Sequence, residues 1–240
     1  MLPTSVTTTA DERDVQAAAM LRVDVVADFV CPWCFLGKRR LDRALSAVFG
    51  PSRVRWFPFE LNPEMPEEGL PLEHYLSSRF GAPDTVKPGL QLLRQLGRDE
   101  GIAFDFDGIE RVPNTFKAHQ LLYLAAGAGR NVGAVADALM SGFFEHGKDI
   151  GSEDVLASIG AQHGIAAGDL QRALADAASE QAVRGQQAQI RRGGITGVPA
   201  FLVNQRVLVS GAQSSDALVG VFDKAVFGDE LQDAAVAARH

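Results

Sequence analysis

The sequence predicts an α/β domain interrupted by a long helical insertion. Three observations carry that reading. A β-branched run, Leu21-Arg22-Val23-Asp24-Val25-Val26-Ala27, precedes Cys34 to Phe49, a proline-free stretch rich in Leu, Ala, Lys and Arg, which reads as strand then helix. From 62 to 194 the pattern is almost purely helical, broken by glycine, proline and capping residues. Strand patterns then return near Gly197.

In order, residues 1–20 read as a polar tail. Gly50-Pro51 stops the first helix, and Val54-Arg55-Trp56-Phe57-Pro58-Phe59-Glu60-Leu61 reads as a second strand, its proline marking an edge or a strand end. Strand, helix, strand opens an α/β fold with a parallel pair. In the insertion, Val86, Leu90, Leu93 and Leu96 form one helical stripe, and Val132, Val135, Ala136, Leu139 and Phe143 a clearer one. Ser152 reads as an N-cap ahead of Glu153 and Asp154. One β-like piece, Ile102-Ala103-Phe104-Asp105-Phe106, interrupts these helices. Gly197 to Val203 and Arg206 to Gly211 flank Asn204-Gln205 as an antiparallel hairpin, although Asn-Gln is a weaker turn than Asn-Gly. Ser214 caps a last helix carrying Leu218, Val221, Phe222 and Ala225, with frayed residues from about Gly228. The expected division is 21–61 with 195–228 as one discontinuous domain, 62–194 as the insertion, and 229–240 as a tail.

The only two cysteines, Cys31 and Cys34, stand two residues apart where the first strand gives way to its helix. Free amides and the positive dipole end at a helix start stabilise an anion, so the first cysteine is expected to be the more acidic. Pro32 suits the first turn, where its missing N–H costs nothing. Cys34, one turn in, can attack a mixed disulfide held on Cys31. A single pair excludes a disulfide framework, and a structural zinc site wants four ligands, whereas His74, His119, His146 and His163 are scattered. A redox dithiol is the expected chemistry.

Composition bounds the rest. With 240 residues, 46% hydrophobic and 22% charged, the chain has the makeup of a soluble globular protein with a sizeable core. A net charge of −7 argues against nucleic acid as a main partner, and no apolar run is long enough to span a membrane. Met1 to Asp14 lacks the basic start and apolar segment of a secretory signal, so the cytoplasm, where thiols stay reduced, is the expected compartment.

A strand ending in Cys-x-x-Cys, with Val198-Pro199 much later leading into a hairpin and closing helix, resembles the thioredoxin fold. The large helical insertion between the second strand and Val198-Pro199 resembles the DsbA family. Asp28-x-x-Cys31-Pro32-Trp33-Cys34-x-x-Gly37-Lys38-Arg39, Phe59-x-Leu61-Asn62-Pro63 and Pro113-Asn114-Thr115-Phe116-x-Ala118-His119 resemble its FrnE-like subgroup, and the match runs from about Val23 to Phe227. The resemblance implies Cys31 as attacking and Cys34 as resolving cysteine. It also implies a cis Pro199 facing them, with Val198 offering backbone to an extended substrate.

The implied activity is thiol–disulfide exchange, of reductase or isomerase type in a reducing cytosol. Protein or peptide thiols and disulfides are the expected partners; no cofactor is expected beyond the dithiol, with glutathione a candidate reductant. The competing readings are a kappa-class glutathione transferase or 2-hydroxychromene-2-carboxylate isomerase, relatives that generally carry serine at the Cys31 position, and a non-catalytic holdase.

Other residues admit two readings. Trp33, Pro32, Val198 and Pro199 are the expected substrate contacts, though Trp33 as a helix-start residue could only tune the dithiol. Carrying no charge, Trp33 supplies no cation to the thiolate, so the expected potential lies below the roughly −120 mV of DsbA. Asp28 is either a base for Cys34 or a strand-end acid bonding amides. Asn114 caps a helix or joins the site. Phe116, His119, Gln120 and Tyr123 share a helix face suited to line a cleft over the dithiol, against the plainer reading of His119 as satisfied structure. Lys38-Arg39-Arg40 reads as a solvated face, with attraction of anionic thiols as its functional alternative.

Overall fold

The computed structural model describes residues 20–237. Most of the tail expected at 1–20 lies outside them. The central strand β1 (Leu21–Ala27) leads through a short turn into α1 (Pro32–Ala47), and β2 (Ser52–Pro58) returns parallel to β1, pairing Leu21 with Ser52 and Ala27 with Pro58. The insertion carries α2 (Leu72–Phe80), α3 (Pro83–Asp99), α4 (Phe116–Gly127), α5 (Val132–Phe144), α6 (Glu153–Gln162), α7 (Ala167–Ala175) and α8 (Ala177–Arg192). In chain order, β3 (Leu70–Pro71) and β4 (Arg111–Val112) form a separate antiparallel ribbon, and β5 (Ala200–Val203), β6 (Val207–Ser210) and α9 (Ser215–Ala237) close the chain. The main sheet runs β2-β1-β5-β6, with β1–β5 and β5–β6 antiparallel.

Alternation along β1 sends its side chains to two cores. Val23, Val25 and Ala27 enter the large core, which holds Phe35 and Leu36 of α1, Leu139 and Met140 of α5, and Leu218 and Phe222 of α9. Val26 packs on the opposite face with Phe59 and Ala200, against Ile190 and Ile195. Beta1 is thus covered on both sides, and Pro58 ends an edge strand, where its missing donor leaves no gap in the ladder.

Two expectations are corrected and one is refined. The 102–106 piece is not a strand: Phe104 and Phe106 stack at 5.0 Å between ring centroids and meet Phe144 edge-on, so alternation here serves an aromatic cluster. The strands within the insertion are β3 and β4, which approach closely because Gly69 (φ 69°) has no Cβ to strike the Val112 carbonyl, 2.5 Å from where one would sit. The last helix does not fray at Gly228 but continues to Ala237, through a proline-free run of helix formers. Ser152 stands at the N-cap of α6, yet its side chain makes no capping hydrogen bond.

The Asn204-Gln205 turn holds where a weaker one was expected. Both residues take positive φ (48° and 58°), as a tight hairpin requires. Asn204 Oδ1 accepts from the Arg22 amide at 2.8 Å and its Nδ2 donates to the Ala225 carbonyl at 3.0 Å, so β1 and α9 hold the turn from outside.

Candidate active site

Cys31 occupies the N-cap of α1 in extended backbone, and Pro32 opens the helix. The Cys34 and Phe35 amides both donate to the Cys31 carbonyl, at 2.9 and 3.3 Å. Both cysteines are free thiols. Val198-Pro199 is a cis peptide, and the Cys31 thiol points at the Val198 carbonyl across 3.8 Å, joining residues 167 apart in sequence. This approach depends on Gly37: a Cβ there would sit 3.1 Å from Pro199 and 3.2 Å from Phe201. Trp33 is 38% exposed beside a Cys31 that is 4% exposed.

Behind the helix the surroundings change. Burial pushes the Cys34 thiol well above its ordinary value, and the neighbouring Cys31, through hydrogen bonding and charge, pushes it further. A backbone hydrogen bond from Asp28 opposes this, while the Asp28 charge adds to it. Asp28 is itself 1% exposed. Its Oδ2 accepts from the Leu61 amide at 2.7 Å, the structural role foreseen for it, but its Oδ1 has no hydrogen-bond partner and faces His119 Nε2 at 3.6 Å. Neither ring nitrogen of His119 is hydrogen-bonded, although the ring lies 4.6 Å from that of Phe29. Leaving such groups buried and unmatched costs about 1–3 kcal/mol apiece.

Glu60 completes this rear cluster. Burial raises its pKa, against a lowering by its hydrogen bond from Gln187 (2.9 Å). The charge of His119 lowers it further, and that of Asp28 raises it. Sequence reasoning passed over Glu60 as the variable position of Phe59-x-Leu61; only the arrival of Gln187 from α8 reveals its burial.

The remaining candidates separate. Asn114 joins loops: Nδ2 donates to the Met65 carbonyl (2.7 Å) and Oδ1 accepts from the Phe116 amide (2.9 Å), while Thr115 takes the N-cap position. The face expected over the dithiol divides. Gln120 donates to Ala173, Phe116 lies under the Arg184 guanidinium at 4.2 Å, and His119 and Tyr123 line a pocket beside β2 in which neither cysteine takes part. Lys38-Arg39-Arg40 is not a solvated face. Lys38 bridges Asp42 (2.5 Å) and Asp137 (3.0 Å), Arg39 meets Asp137 (3.2 Å), and Arg40 meets Glu100 (2.9 Å) and the Ala212 carbonyl (2.7 Å). Acids delivered by α3 and α5 neutralise the run, leaving α1 no free cation patch for anionic thiols. No three His, Cys, Asp or Glu side chains converge as a metal site among the described residues.

Residues 22–223 match the model of the DSBA-like thioredoxin domain. The chain belongs to this family. Its fold is similar to that of a probable DsbA oxidoreductase from Streptomyces coelicolor, at 29% identity and a TM-score of 0.78, covering 85% of this chain and 89% of that one. Two more distant structures share the fold. The cytosolic disulfide reductase DsbM from Pseudomonas aeruginosa, solved with GSH, is 20% identical with a TM-score of 0.59, covering 88% and 98% of the two chains. A 2-hydroxychromene-2-carboxylate isomerase is 16% identical with a TM-score of 0.64, covering 90% and 98%. The DsbA-like family is a family of oxidoreductases, and the dithiol stands in this chain in full. No helix among the described residues is long and apolar enough to cross a membrane.

Proposed function

We propose that this protein is a cytoplasmic thiol–disulfide oxidoreductase of the FrnE-like subgroup, working as a disulfide reductase or isomerase on protein or peptide substrates. The observation that carries the reading is the Cys31 thiol set against the Val198 carbonyl beside cis Pro199, with Cys34 one helical turn behind. An extended substrate reaches Cys31 along the Val198 backbone; the thiolate attacks its disulfide and releases one thiol. Cys34 then attacks the mixed disulfide, forming the Cys31–Cys34 bond and releasing the second thiol.

Glutathione is the proposed reductant. A fold neighbour solved with GSH supports this in kind. Glutathione transfer or chromene-carboxylate isomerisation finds fold-level support in the isomerase neighbour, but the presence of both cysteines favours disulfide exchange.

Insulin reduction and refolding of scrambled ribonuclease, run on the wild type and Cys31→Ser, test the proposal. Activity in either assay that vanishes in the variant is the expected result. A wild type blank in both assays that nonetheless binds glutathione tightly would overturn it in favour of glutathione-dependent chemistry.

A further inference from the structure

Cys34 has a proton to lose at the moment the substrate covers it. It is 2% exposed, and a mixed disulfide on Cys31, itself 4% exposed, would cover it further. Asp28 opens the turn before the dithiol, its carbonyl accepting from the Cys31 amide at 3.3 Å, and its charge acts on the Cys34 thiol, but it is 1% exposed. The proton therefore needs a further carrier.

His119 stands where that carrier has to be. Its Nε2 is 3.6 Å from the one Asp28 oxygen without a partner, a few tenths of an ångström beyond a hydrogen bond, and both ring nitrogens are unengaged. The residue is 2% exposed, yet it forms part of the wall of a cavity of about 440 Å³ between the β2 edge (Trp56, Pro58), α4 and the start of α8. Tyr123, Gly127 and Asp176 at this cavity are exposed, so it opens to solvent, and neither cysteine, Val198 nor Pro199 lines it. Ser179, also in its wall, has a buried hydroxyl without a partner. The titratable and charged groups facing the cluster are Cys34 from α1, Asp28 after β1, Glu60 after β2, Tyr123 from α4, Asp176 at the N-cap of α8 and Arg184 within it.

We propose that His119 is the outlet of a rear proton route, from Cys34 through Asp28 and the imidazole into the β2-edge cavity, separate from the substrate face. The proposal rests on the exchange reading above. In the resolving step the Cys34 S–H proton passes to Asp28 and on to the ring, one ring nitrogen taking it up as the other, also buried at rest, gives one to cavity water when the ring moves. The Cys34 electron pair forms the Cys31–Cys34 bond, the Cys31–substrate S–S bond breaks, and the departing thiolate is protonated by bulk water. His119 acts through Asp28 and never on sulfur, so its removal should slow resolution and spare the first attack.

One probe reads both steps. Reduced protein is mixed with the disulfide of glutathione and thionitrobenzoate: release of thionitrobenzoate reports Cys31 attack, and decay of the acid-trapped glutathione adduct reports Cys34. In His119→Ala and His119→Gln the first step should stay within about twofold of wild type, while adduct decay near neutral pH falls about tenfold or more. Decay in the variants should also rise with pH, as the Cys34 thiolate forms unaided. Imidazole should restore decay in His119→Ala, whose vacated space joins the cavity, and not in His119→Gln, where the amide fills it. Unchanged decay in both variants, equal slowing of both steps, or slowed decay that imidazole fails to restore in His119→Ala overturns the proton route. A wild type that forms no adduct overturns the dithiol reading itself.

Discussion

Helix α1 is flanked by two buried or half-buried charged clusters, and they are built on opposite rules. On one flank every carboxylate oxygen has a cation: Asp137 meets Lys38 and Arg39 at 3.0 and 3.2 Å, and Glu100 meets Arg40 and Arg43 at 2.9 and 2.7 Å. On the other, Asp28 Oδ1 meets only the His119 ring, at 3.6 Å, and burial raises the pKa of Glu60 and Cys34. The first cluster fixes where α1 lies against α3 and α5. The second sets an acid and an imidazole beside a sulfur whose protonation changes in the proposed exchange. Burial alone does not separate scaffold from chemistry, and neither does hydrogen-bond completeness, since Asp137 Oδ1, Glu100 Oε2 and Arg39 Nε also lack hydrogen bonds; the kind of partner does, lysine or arginine on one flank and an imidazole on the other.

Substitutions on the two flanks should therefore behave differently. Asp137→Ala strands Lys38, whose side chain is 7% exposed, with only the peripheral Asp42, and should cost about 3 kcal/mol in urea unfolding while leaving the exchange mechanism intact. A loss below about 1 kcal/mol would erase the contrast.

Asp28→Asn is the mirror case. The amide keeps an acceptor for Leu61 and removes a charge whose only close partner is His119, at 3.6 Å, so stability should hold within about 1 kcal/mol. Turnover should nonetheless fall about tenfold or more in insulin reduction. Because the Asp28 charge raises the Cys34 pKa, thiol titration of the variant should show Cys34 ionising at lower pH.

Glu60 gives a smaller, pH-dependent effect. Its folded pKa lies above the ordinary carboxylate value, so the folded protein holds the proton longer than the unfolded chain does. Stability should fall as pH rises from about 4.5 through the raised pKa, then level off. In Glu60→Gln that decline should be absent, which urea titrations across this range would show; an unchanged decline would assign it elsewhere. The smallest effect belongs to the front: Trp33→Ala should weaken KM for insulin about threefold and move stability by less than about 0.5 kcal/mol.

What the sequence made legible follows the range of the interactions. The cysteine helix is local, written in Pro32 and a proline-free run, and the hairpin in two β-branched stretches about a turn. The parallel pair and the helical insertion follow from the order of elements. Lys38-Arg39-Arg40 reads as solvated because nothing nearby in sequence names Asp137 and Glu100 as partners. The approach of His119 to Asp28 is hidden for the same reason: the insertion must pack before α4 meets the end of β1. Ile102 to Phe106 misleads differently, since its alternation is real but its aromatics answer to Phe144.

The sheet order also sets a timetable for synthesis. Beta1 takes one neighbour from β2 just downstream and the other from β5 near the far end, so Val198 reaches Cys31 only after 167 further residues have been made. At about 5–20 residues per second, a ribosome needs about ten to thirty seconds for that span. During that interval the nascent chain carries both thiols without the wall that later orients their partners.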